Sequence, residues 1–162
     1  MKASCIAKYL IAKSDNVGDL LTNKKLQKLL YYVKAWGVVF FRDGVIDEPF
    51  EAWIHGPVCR SVYFEYKCFG YNPIHMDYDG MSSSEFIDKF KKDNIKNDSD
   101  KSKIEMIDAV FNKYGKFSSF ELELLSHSET PWIEARKGLS PVETGSNKIE
   151  ESMMKSFYSN KN

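Results

Sequence analysis

Apolar residues return at helical spacing through most of the chain. Ala3, Ile6, Ala7, Leu10 and Ile11 share one face, and the run closes at the turn cluster Ser14 to Gly18. The strongest pattern follows, in LLTNKKLQKLLYYVKAWGVVFFRDG (20–44). Thr22 is placed to cap its start, and Leu26, Leu29, Leu30, Val33, Trp36 and Phe40 form a continuous core-facing stripe that ends at Arg42-Asp43-Gly44. Pro49 interrupts residues 45–54 and leaves a brief extended piece at 50–54. Pro57 suits the first position of a helix that runs on to Gly70, with Val58, Val62 and Phe69 inside.

Beyond residue 77 the composition turns polar and lysine-rich. Ser82-x-x-Glu85 is a capping box that opens a short helix docked by Phe86, Ile87 and Phe90, and residues 92–101 read as a mobile surface connection. Ile104, Ile107, Phe111 and Tyr114 restart the helical period, closed by Gly115. A second capping box, Ser118-x-x-Glu121, leads to Leu122 and Leu125. Thr130-Pro131 then opens a short helix ended by Gly138, and Ile149, Met153 and Phe157 mark a last one. The fold class that follows is mostly α: a single compact helical domain of about seven helices, with at most a small β element near residues 50–54. Residues 1–162 make one domain, with 77–103 a variable, partly mobile insertion, because neither flank is large enough for its own core.

Composition narrows the function. Of 162 residues, 43% are hydrophobic and 14% aromatic, enough for a core without metal or disulfide. Lys plus Arg and Asp plus Glu number 23 each, so the net charge is zero and a surface built to neutralise many phosphates is not expected; nucleic acid is disfavoured as a partner. Lys8 and Lys13 break the first apolar run, which argues against a leader peptide, and no stretch reaches membrane-spanning length. Three cysteines at scattered spacings do not make a disulfide framework, and the expected location is cytoplasmic. Lys24, Lys25 and Lys28 crowd the start of the second helix, where positive charge opposes the helix dipole. Either they form a solvated face, or they meet an acidic partner or a neighbouring carboxylate.

Catalytic patterns are weak. No glycine-rich phosphate loop and no G-x-S-x-G elbow occurs. His55, Cys59, Cys68 and His75 have metal-ligand chemistry. On one continuous helix, however, Cys59 and Cys68 would lie about 13 Å apart along the axis, too far for one zinc ion. Cys59 near a helix start, with His55 or His127 as base, is a possible nucleophile pair, but nothing in the spacing brings either histidine to that sulfur. Neither a metal, a cofactor nor an enzymatic activity is expected.

Two blocks then resemble a known family. KLQKLLYYVKAWGVVF (25–40), followed by EAWIHGPVCRSVYFEYK (51–67), is similar to the signature of the Panacea domain, the SocA-like group of phage-associated antitoxins. The matching positions are Lys25, Leu26, Lys28, Leu29, Leu30 and Tyr31, then Glu51, Ala52, Trp53, Gly56, Pro57 and Val58. YGKFSSFELELLSHSETPW (114–132) resembles the family's second block through Tyr114, Gly115, Leu122, His127, Pro131 and Trp132. His55 departs from the pattern, which more often has an aromatic residue there, and residues 80–103 match no motif.

The resemblance implies a small helical antitoxin that neutralises a cognate toxin by direct binding, with delivery of the toxin to a cellular protease as the alternative. On that reading EAWIHGPV is a rigid corner, either structural only or structural and binding. Lys25, Lys28, Tyr31 and Tyr32, with Trp53 and His55, are expected to frame the partner-binding surface. Leu26, Leu29, Leu30 and Trp36 belong to the core by the same periodicity.

Overall fold

The computed structural model describes residues 1–161. Helix α1 (Ala3–Asn16) ends inside the expected turn cluster 14–18, where Gly18 takes φ +71°, a backbone angle costly for residues with a Cβ. Helix α2 (Asn23–Phe40) begins as its cap predicts, with the Thr22 side chain accepting from the Lys25 N–H. Its burial is not one-sided. Every residue from Leu26 to Val38 is buried, because other elements surround the helix on several sides.

The Pro57 helix is the main correction. Glu51–Trp53 (β1) and Gly56–Val58 (β2) form an antiparallel hairpin, with Glu51 opposite Val58, Ala52 opposite Pro57 and Trp53 opposite Gly56. Its two-residue loop, Ile54-His55, is closed by Gly56 at φ +99°. Pro57 is tolerated because its partner Ala52 directs its own backbone groups elsewhere: Ala52 N–H donates to Asn147 O at 2.8 Å, and Ala52 O accepts from Arg136 Nη1 at 2.9 Å. Helix α3 (Arg60–Glu65) starts after Cys59 and stops at a 3-10 turn, Lys67–Phe69, so the long helix to Gly70 is cut in two.

Both capping boxes form as expected, opening α4 (Ser83–Asn94) and α6 (Ser119–His127). Helix α5 (Asp98–Tyr114) begins at a further cap, Asn97, so the connection expected over 92–101 shrinks to residues 95–97. Helix α7 (Thr130–Ala135) carries Pro131 in its first turn, with Glu129 rather than Thr130 as the preceding residue. Helix α8 (Glu151–Ser159) buries Met154 and Tyr158, one position on from the expected Met153 and Phe157. Helix α2 packs on α1, α5, α6 and α8, while α4 lies against α1.

Candidate functional site

The two blocks that are distant in sequence meet around the hairpin. Trp132 Nε1 of α7 donates to Trp53 O at 3.1 Å, and Arg136, the residue after that helix, reaches Ala52 O. His127 stacks on the Trp132 ring, with centroids 4.0 Å apart and 18° between planes. Trp53 itself is half-buried, lies edge-on to Tyr63, and donates its indole N–H to Glu51 Oε2 at 2.7 Å.

On one side of the Trp53–Ile54 ridge opens a cleft of about 320 Å³. The start of α2 (Asn23, Lys24, Gln27, Lys28), the hairpin (Trp53, Ile54, His55, Val58) and the segment after α3 (Tyr63, Lys67, Gly70, Tyr71) line it. A shallower hollow on the other side is lined by the same two ridge residues with Thr144, Gly145 and Ser146.

Lys28 is among the residues that line the cleft, yet it is only 1% exposed. Its Nζ donates to Pro57 O at 3.2 Å, and that is its one hydrogen bond among the described residues. Gly56 makes the room: a Cβ there would lie 2.6 Å from Lys28 Cε, 3.0 Å from Nζ and 3.0 Å from Ser126 Oγ. The lysine of the first block and the Gly-Pro of the second are therefore one packing unit. Burial pulls the ammonium down to about 7, against the opposing pull of Glu123 and with a further push from Lys24. Glu123, on α6, is held by two other cations: it pairs with Lys24, and its Oε1 lies 3.0 Å from His55 Nδ1. Burial opposes ionisation of Glu123, but the hydrogen bonds from Lys24 and His55 prevail and hold its carboxyl below the usual range. Burial, the largest influence, holds the His127 imidazole below its usual range, and its Nε2 is enclosed without a partner among the described residues.

The residues expected to frame an exposed binding face divide sharply. His55 is 71% exposed at the hairpin tip, and Trp53 is at the ridge. Lys25, Lys28, Tyr31 and Tyr32 are buried, which corrects the expectation of a lysine–tyrosine surface. Lys25 bonds Asp19 at 2.9 Å. Tyr31 and Tyr32 lie in a hydroxyl network around the buried Glu129, which accepts from Tyr158 at 2.5 Å, from Tyr32 at 3.2 Å and from Lys161 at 3.1 Å. Of the two earlier alternatives for the lysine cluster, neighbouring carboxylates account for Lys24 and Lys25, whereas Lys28 has no carboxylate in contact and is almost wholly withdrawn from solvent. Leu26, Leu29, Leu30 and Trp36 lie in the core, where Trp36 Nε1 donates to Tyr114 OH at 3.0 Å. Sequence reading missed Glu123, Glu129 and Arg136, which look like ordinary surface charges on short helices.

Cys59 precedes α3 and is buried, and burial pushes its thiol up, the reverse of activation by a helix start. The helix that was expected to separate Cys59 from Cys68 does break between them, yet Cys68 is exposed and no group of three or more His, Cys, Asp or Glu able to hold a metal occurs among the described residues. No described helix is long and apolar enough to cross a membrane.

A family model described as "Antitoxin SocA-like, Panacea domain" matches residues 26–133, two thirds of the chain. The protein belongs to this antitoxin-like family. The matched range takes in the lysine helix from Leu26 onward, the hairpin and the His127–Trp132 stack, so all the cleft-lining residues except Asn23 and Lys24 lie within it. No curated protein and no solved structure matches the chain.

Proposed function

We propose that the protein is an antitoxin that neutralises a cognate toxin by direct protein–protein binding, without chemical turnover. Membership of the Panacea family carries this reading. The contact surface is the cleft together with the Trp53–Ile54 ridge. A half-buried tryptophan beside an exposed His55 and a Tyr71 that is 96% exposed offers aromatic anchors on a rigid support. The hairpin is braced by Arg136, Trp132 and the 147–149 segment, so little conformational freedom is lost when it is covered. Lys25, Tyr31 and Tyr32 act indirectly, by holding α2 in place beneath that surface.

The test is co-expression with the product of the adjacent reading frame. A small neighbouring protein that arrests growth alone, is silenced by this chain, and co-purifies with it in fixed stoichiometry supports the reading. Trp53→Ala should then weaken the complex by about tenfold or more while leaving the fold intact. Toxin whose half-life falls only when a protease is also present would instead identify an adaptor. Silencing without a complex and without loss of toxin would refute direct binding.

A further inference from the structure

A buried ammonium normally has a carboxylate in contact, or loses its charge. Lys28 has no carboxylate within ion-pair distance among the described residues, and a single backbone acceptor leaves two of its three N–H groups without a protein partner. The nearest acid, Glu123, is already committed to Lys24 and His55. The side chain is not stray, since Gly56 leaves the space it fills, Pro57 O accepts from its amine, and the residue borders an open cleft.

The cleft offers little else. Asn23 Nδ2 is spent on Tyr63 O, Gln27 Oε1 on the Cys59 N–H, and Gln27 Nε2 on Asn23. Trp53, Val58 and Tyr63 add apolar lining, and Lys24, Lys67 and His55 add positive or protonatable groups. A ligand that fits has a single compact negative charge at the end of an apolar stem. A phosphate fits less well than a carboxylate, because Pro57 O beside Nζ opposes a dianion more strongly than a single negative charge.

We propose that this cleft receives an acidic side chain, Asp or Glu, of a partner polypeptide, whose carboxylate takes the two free donors of Lys28. The partner is the toxin if the antitoxin reading holds, and the proposal rests on that reading only for its identity. Insertion of the carboxylate completes an ion pair that the free protein leaves half-made, so the side chain acts as a buried anchor.

The proposal is tested on the full-length protein by NMR, following the ε resonances of Lys28 and the indole N–H of Trp53. The probes are the blocked peptide acetyl-Gly-Glu-Gly-amide, its Gln counterpart, and inorganic phosphate. The Glu peptide is expected to shift both signals saturably and to raise the pH midpoint of Lys28, with no such response to the Gln peptide or to phosphate. Lys28→Met should abolish the response, and in the complex with the toxin it should weaken affinity by about tenfold or more. An equal response to the Gln peptide, a preference for phosphate, or no saturable shift at Lys28 would overturn the proposal. If Lys28→Met does not fold, the wild-type titration decides. A wild-type complex that Lys28→Met leaves equally tight defeats the carboxylate anchor and spares the antitoxin reading. A saturable Glu-peptide response without any toxin binding does the reverse.

Discussion

Replacing Lys28 by Met should stabilise the isolated protein, and the gain should depend on pH. In the fold the amine is pulled from 10.5 to about 7, mainly by burial. At about 1.4 kcal/mol per pH unit, that shift corresponds to a cost on the order of 5 kcal/mol for keeping the group charged inside. The cost is present in full below pH 7, where folded and unfolded chains both hold the proton. It shrinks as pH rises from about 7 toward 10.5, because there only the unfolded chain stays protonated. Methionine has similar length and removes the charge, but it leaves Pro57 O without its donor, a loss of about 1–3 kcal/mol. The expected net gain near pH 6 is therefore roughly 2–4 kcal/mol, or about 5–12 °C in Tm for a chain of this size. By about pH 9 the wild type should have recovered on the order of 3 kcal/mol relative to the variant. Urea unfolding of both proteins across this range, followed by tryptophan fluorescence, measures the difference directly. Two stability curves that run parallel through that range would refute the assignment of Lys28 as an uncompensated buried amine.

Three further outcomes follow from the packing. Gly56→Ala combines a strained positive φ with a Cβ lodged against Lys28 Cε, and should cost roughly 2–4 kcal/mol in urea unfolding; adding Lys28→Ala should return part of that loss, and strict additivity would argue against the contact. Glu129→Leu strands the hydroxyls of Tyr32 and Tyr158 and should cost roughly 3–5 kcal/mol, with amide exchange in α8 speeding up before the rest of the molecule. Ser118→Ala removes the cap of α6 and should cost about 1 kcal/mol, visible as a lower urea midpoint at unchanged slope.

Lys28 also illustrates how a local conflict can point to function. A sequence satisfies its own charges where it can, as Lys24 does with Glu123 and Lys25 with Asp19. A position left unsatisfied beside a formed cleft is a candidate for completion by something else. The same logic separates it from Lys34, which is equally buried but has Ile46 O at 2.6 Å and Glu151 at 2.5 Å.

Helix number, the core stripe Leu26-Leu29-Leu30-Trp36, and the caps at Thr22, Ser82 and Ser118 could be read from the chain alone. These features depend on near neighbours: a capping side chain bonds an N–H three residues on, and a stripe repeats every turn. The hairpin at 51–58 could not be separated from a helix start, since Gly-Pro serves either and the deciding bonds come from Arg136 and Asn147, more than eighty residues away. Burial of Lys25, Lys28, Tyr31 and Tyr32 was hidden for a related reason. Periodicity describes one face of a helix, and α2 is enclosed by α1, α5, α6, α8 and the hairpin, so its polar side became interior too. Local bonding thus set the elements, and only the assembly of distant segments decided which lysine was left without a counter-charge beside a cleft.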